Sequence, residues 1–368
     1  GRDDFVLVDA YPNACVVGQT CPTTSGVVNA FAGDDNLVAW TSLAGPTGSP
    51  LAWRGVRVTG GLGRLNGDNL GVAVYDHDGD GRADVAVCGG FRDTRGMGVA
   101  FLTGDGAGGF TSPATPEVSV GSAPYSVAAG DFNGDGRTDF FFGGRAVPWN
   151  YGITPNSYLM QNMGNGRFED VTASAAPGLG DIGLVKKGAW ADLDGDGLLD
   201  VIPANPVEQS FSILFGQPSG FAAPLSTPLS GPPVQAMVSD YNQDGVLDLG
   251  LGLARTSQGV ELMQGLGGRR FSPLPTLKLS INVRLMVQGD LNGDGVDDVV
   301  ALDAGSLNNN LFIYLGLGKA RFVPKPPLSV PVAAVGAAVG DWDGNGKLDL
   351  VTLSNNGDSL CVLRNTAP

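Results

Sequence analysis

Six stretches of this 368-residue chain crowd acidic side chains into nine positions: DHDGDGRAD (76–84), DFNGDGRTD (131–139), DLDGDGLLD (192–200), DYNQDGVLD (240–248), DLNGDGVDD (290–298) and DWDGNGKLD (341–349). Positions 1, 3, 5 and 9 carry Asp or Asn in every stretch, and position 6 is always Gly. Hard oxygen donors at alternating positions of a tight loop suit a divalent cation of the Ca2+ type, which takes six to eight oxygens. The side-chain donors are Asp76, Asp78, Asp80 and Asp84; Asp131, Asn133, Asp135 and Asp139; Asp192, Asp194, Asp196 and Asp200. In the second half of the chain they are Asp240, Asn242, Asp244 and Asp248; Asp290, Asn292, Asp294 and Asp298; Asp341, Asp343, Asn345 and Asp349. A backbone carbonyl is expected to join them at position 7, from Arg82, Arg137, Leu198, Val246, Val296 and Lys347.

Neither zinc nor copper fits, because thiolates and imidazoles are missing from these loops. The single histidine, His77, stands at a non-ligand position and reads as a solvated loop residue. An EF-hand would put Glu at position 12 between two helices. Position 12 here is Val87, Phe142, Pro203, Leu251, Ala301 or Thr352, and each loop runs on into an apolar, strand-like segment such as DVAVCGG or DFFFGG.

The metal reading also explains the charge. Of 37 acidic residues, 20 are Asp at ligand positions of these loops, and six divalent ions would bring the formal charge from −15 to −3. The acidity therefore belongs to the loops and does not mark a surface for a basic partner. No Lys/Arg stripe offers the electrostatic footprint for nucleic acid, no apolar run approaches the ~20 residues of a membrane helix, and the first residues show no signal-peptide pattern. Four cysteines remain. Cys15 and Cys21 lie six apart in a Pro/Thr-rich loop where a local disulfide is conceivable, and Cys88 and Cys361 sit in strand-like runs as buried thiols.

The elements that must position the loops recur with them. Motif starts at 76, 131, 192, 240, 290 and 341 give a period near fifty residues, which implies a propeller or a solenoid. Every unit has an apolar strand leading into the loop (YSVAAGD, VQAMVSD), a second leaving it and a third (NSYLMQN, LFIYLG). A Gly-rich turn and a Phe then open the fourth: GAGGF, GNGRF, QPSGF, GGRRF, GKARF. Four short antiparallel strands make a propeller blade.

These repeats resemble the FG-GAP/VCBS family, the calcium-loop repeats of integrin α-subunit propellers and of many secreted proteins. The resemblance implies an all-β, seven-bladed β-propeller with calcium in the loop joining strands one and two. On that reading residues 1–368 form one domain. Blade one covers about 1–61, blades two to six about 62–329, and blade seven about 330–368 without its outer strand. GRDDFVLVDA at the start aligns with GRADVAVCGG, so Gly1 takes loop position 6 and Asp4 position 9 of a seventh motif. An upstream segment of about 25 residues is expected to complete both end blades. The rival expectation is that residues 5–11 pair as the outer strand of the last blade.

About six structural Ca2+ sites follow from the motif count. Extracellular-type sites bind at about 10⁻⁴–10⁻³ M, so in millimolar calcium each adds about 1 kcal/mol, and together they rival the ~5–15 kcal/mol stability of a domain. Cytosolic calcium would leave them empty, which points to an extracellular protein, secreted or at the cell surface. No catalytic constellation is present: there is no GxSxG and no Cys/His pair. Function is expected on the face opposite the calcium loops. There Arg92, Arg95, Arg145, Trp149, Tyr151 and Arg255 form an aromatic and arginine-rich rim suited to a glycan or a protein ligand. The leading expectation is a binding or adhesion module. One alternative is a structural propeller within a larger surface or toxin assembly. The other is a polysaccharide lyase acting on uronates, with Tyr151 or Lys187 as base.

Overall fold

The computed structural model describes most of residues 69–366, and within 1–68 only the strands Phe5–Asp9, Cys15–Val16, Asn36–Ser42 and Trp53–Arg57. The chain is a β-propeller. Six sheets share one plan, with inner strands Asn69–Tyr75, Ala123–Gly130, Lys187–Ala191, Pro233–Ser239, Val283–Gly289 and Ala334–Gly340. Each inner strand pairs antiparallel with a second strand that begins at loop position 9. The register is the same every time: Tyr75↔Asp84, Gly130↔Asp139, Ala191↔Asp200, Ser239↔Asp248, Gly289↔Asp298 and Gly340↔Asp349. The motif thus sets the register, because its turn geometry fixes which residues face across the hairpin. Consecutive inner strands pack side by side.

The fourth strand begins at the expected Phe in four sheets, at Phe110, Phe168, Phe271 and Phe322. In three of them a second short piece, Glu117–Val120, Leu277–Lys278 or Leu328–Ser329, pairs with the same third strand further along. In the 192–200 unit the third strand is Ser210–Ile213. There the Phe lies in a small hairpin, Gly216–Gln217 with Gly220–Phe221, and Leu225–Pro228 pairs with the third strand instead.

The expectation of seven blades is corrected to six. Among the described residues the remaining sheet has three strands, Phe5–Asp9, Asn36–Ser42 and Trp53–Arg57. The expected pairing of residues 5–11 with the last blade is corrected too. Phe5–Asp9 pairs with Asn36–Ser42, and Cys15–Val16 completes the last sheet, running parallel to Ser359–Leu363. One further departure from all-strand structure is a helical turn at Thr172–Ala175, followed by a 3-10 turn at Pro177–Asp181.

The core lies between blades rather than in one centre. Because side chains alternate across a strand, the run Phe140-Phe141-Phe142 supplies two layers. Phe140 and Phe142 pack with Tyr75, Cys88 and Phe101 of the preceding blade, and Phe141 packs with Val185, Val201 and Leu214 of the following one. Equivalent layers join the 192–200 and 240–248 units, the 240–248 and 290–298 units, and the 290–298 and 341–349 units. A strand buried on both faces must be apolar at every position, which is why the second strands read as unbroken apolar runs. Cys88 is buried and takes no part in a disulfide, as expected. Cys21 lies outside the described residues, and only the backbones of Cys15 and Cys361 are described.

Candidate metal loops and the opposite face

Backbone hydrogen bonds build each loop before any cation is considered. The N–H of position 6 donates to the position-1 carboxylate in all six, at 2.7–2.9 Å, as from Gly81 to Asp76 and from Gly295 to Asp290. The N–H of position 7 donates to the side chain of position 5, again in all six, at 2.8–2.9 Å. These bonds need the glycine at position 6 to turn with φ between +81° and +87°, a region that side chains with a Cβ rarely enter.

Position 9 differs from the rest. Asp84, Asp139, Asp200, Asp248, Asp298 and Asp349 are fully buried. One oxygen of each accepts an N–H from the end of the third strand or just beyond it, as from Gly104 to Asp84, Asn162 to Asp139 and Gly216 to Asp200. In four loops the other oxygen accepts the N–H of position 2, from Phe132, Leu193, Asn242 or Leu291. Burial, the largest cause, and the neighbouring acids raise these carboxyls above the ordinary aspartate range. Asp139 is pushed up to about 7 and Asp200 and Asp248 to about 6, while Asp298 is raised in the same direction. The carboxylates are therefore short of positive charge, which a divalent cation supplies.

Two loops bring three carboxylate oxygens within 4.8 Å of one another among the described residues: Asp76, Asp78 and Asp84, and Asp192, Asp194 and Asp200. An all-oxygen, anionic donor set of this kind fits Ca2+. Asp80 and Asp196, at position 5, turn toward the N–H of position 7 instead. Asp343 and His77 lie outside the described residues.

Neighbouring blades close over the loops. Ala320 and Lys319, in the Gly-Phe turn of the 290–298 unit, donate their N–H groups to the carbonyls of Tyr241 and Asn242, at 2.9 and 3.2 Å. Asn365, at the end of the last blade, donates through Nδ2 to the carbonyl of Leu291, at 2.6 Å. Arg269, from the turn of the 240–248 unit, reaches Asp194 at 2.6 Å and lies over the Phe215 ring at 4.8 Å. Sequence reasoning missed Arg269; the signal was the paired arginine of GGRRF, read only as part of a turn.

Of the residues expected on the opposite face, Arg92, Arg95, Trp149, Tyr151 and Arg255 lie outside the described residues. Arg145 is exposed near the end of the strand Asp139–Ala146, away from the loops. The N–H of Val185 donates to the carbonyl of Gly144, which sets Lys186 and Lys187 beside it. Burial lowers Lys186, with a further push from Arg284 and Arg145. Lys187 is lowered to about 8, first by burial and then by Lys186. Three blades thus contribute cations to one neighbourhood that sequence reasoning found only through Arg145 and Lys187.

A family model described as an FG-GAP-like repeat matches residues 76–142 and 290–352. These two segments of the chain are similar to FG-GAP-like repeats. Both matched segments begin at a loop position 1, and together with the six identical hairpin registers they account for the propeller. Among curated proteins no sequence matches the repeats. Among solved structures the propeller is similar to the biofilm matrix protein Bap1 of V. cholerae, at 17% identity and a TM-score of 0.45 over 75% of this chain. It spans 42% of the length of Bap1. It is also similar to a provisionally named 6-phosphogluconolactonase from Bacteroides uniformis, at 11% identity and a TM-score of 0.59, covering 92% of this chain and 90% of that one. The second likeness is one of fold.

Proposed function

We propose that this propeller is an extracellular, calcium-stabilised binding module that holds an anionic ligand, a uronate- or sulfate-bearing glycan or an acidic protein surface, on the face opposite its metal loops. One observation carries the reading: Arg145, Lys186, Lys187 and Arg284 come from three blades to the ends of their strands remote from the loops. Burial and neighbouring cations lower Lys186 and Lys187, and lysines so placed gain from a bound anion, as crowded carboxylates gain from a metal. The motif loops would bind calcium through the six donor sets named above, with structural rather than catalytic roles.

The test is a glycan array on the full chain in millimolar calcium with a chelated control. Binding confined to acidic glycans, and lost in Lys187→Gln, supports the module. A blank array on folded protein moves the assignment to a scaffold within a larger surface assembly. Lysine at about 8 is also suited to proton abstraction at neutral pH. A polyuronate whose viscosity falls on incubation with the protein would therefore favour the lyase reading.

A further inference from the structure

The 192–200 loop receives a charged side chain from a neighbouring blade. Arg269 stands in the turn between strands Gly259–Gly265 and Phe271–Pro273, in the unit that owns the next loop. Its contacts all fall on the previous unit. Nε donates to Asp194 Oδ2 at 2.6 Å, one terminal nitrogen lies 3.6 Å from Asp196 Oδ2 and 3.4 Å from the carbonyl of Gly216, and the guanidinium covers Phe215. The backbone holds Arg269 at φ +66°, a strained conformation for a residue with a Cβ. At the same distance before the Phe, the other turns have Gly108, Gly166, Ser219 and Ala320, so no other unit supplies a cation from this place.

The receiving loop is unusual as well. With 76–84 it is one of the two that carry Asp at all four donor positions. The 76–84 loop answers its own charge from position 7, where Arg82 lies 3.5 Å from Asp80. The 192–200 loop has Leu198 there, and the missing positive charge arrives across the blade boundary. Asp194 is 7% exposed and still lies within 4.8 Å of the Asp192 and Asp200 oxygens. Arg269 therefore shares this carboxylate with the site instead of drawing it away.

We propose that Arg269 is a permanent cross-blade cation of the 192–200 loop: it locks the loop to the next blade when no divalent ion is bound, and it makes this loop bind such an ion more weakly than its four carboxylates alone would. The proposal rests on reading the loops as cation sites. Two consequences follow from charge and geometry. Removing the guanidinium strips the loop of its substitute cation, so the metal-free protein loses stability. Removing it also restores a full negative charge around the site, so the affinity for a divalent or trivalent probe rises.

The experiment uses the full chain in a Trp342→Phe background, with terbium as the probe and Trp190, two residues before Asp192, as the sensitiser. Arg269→Gln is expected to tighten terbium binding reported by Trp190 roughly tenfold. Arg269→Lys, which keeps the charge but loses the planar fork, should stay within about threefold of the parent. In chelator, the Gln variant should melt about 1–3 °C below the parent. Unchanged or weaker terbium binding in Arg269→Gln, with emission intact, overturns the proposal alone. Absence of terbium emission from every form, on protein that is folded, removes the cation reading and the proposal with it.

Discussion

At the scale of the residue, position 9 of the repeat has two roles. The sequence placed it among the metal ligands, on the same footing as positions 1, 3 and 5. The structure shows it also as the anchor of the loop, since Asp200 accepts N–H groups from Leu193 and Gly216, both at 2.8 Å. Replacing it with Ala leaves two buried donors without an acceptor. Asp200→Ala in chelator should therefore lose about 2–4 kcal/mol in urea unfolding, and a loss below about 0.5 kcal/mol would contradict the anchoring role. The same carboxyls give a pH dependence. Asp139, Asp200 and Asp248 rise from 3.8 to about 7, 6 and 6. Between these limits the folded chain keeps protons that the unfolded chain has released, so its stability falls as pH rises through that window and levels off above it. The melting temperature in chelator should decline from pH 4 to about 7, and saturating Ca2+ should flatten the profile by favouring the ionised forms. A chelated melting temperature that climbs over the same range would refute this account. The donor types were legible in the sequence because every one lies within nine residues of the others. The Arg269 contact was not, because 75 residues separate it from Asp194 and nothing local marks a side chain that crosses a blade boundary.

At the scale of the element, the hairpins were readable and the layers between them only partly so. Apolar runs after each loop implied strands buried on both faces, and the core bears this out from Val85 to Val351. What pattern alone does not reveal is how closely adjacent blades approach. Gly188, on an inner strand, sits flat against the ring of Phe141 in the preceding blade: a Cβ there would lie 2.6 Å from Cδ1 and closer still to Cε1. Gly188→Ala should consequently destabilise the protein by about 1–3 kcal/mol through overpacking, measurable as a shifted urea midpoint with an unchanged slope. An unshifted midpoint would mean that the two blades can separate at no cost. The split fourth strands and the turn at Thr172–Ala175 also escaped the sequence reading. Two-residue strands have no period to detect, and the turn is held by a tertiary bond, Leu159 N–H to Thr172 Oγ1 at 2.8 Å.

At the scale of the molecule, the repeat count was legible and the closure was not. Six motifs gave six blades, and the described strands before residue 69 add a sheet of three, Phe5–Asp9, Asn36–Ser42 and Trp53–Arg57, that no full motif announced. Because neighbouring blades bond directly to one another's loops, the loops and the inter-blade layers should melt together. Chelation is expected to lower the temperature of a single cooperative transition, with Ca2+ restoring it and Mg2+, which demands a smaller octahedral site, restoring less. Two resolved transitions in calorimetry would contradict that coupling. The pairing of Cys15–Val16 with Ser359–Leu363 adds a mechanical property. These strands run parallel, so tension drawing residue 15 backward and residue 363 forward loads their hydrogen bonds simultaneously, in shear, instead of peeling them one after another. A pull applied at residues 15 and 363 would thus meet this clasp first, and the hairpins behind it would feel the force only after it gave way.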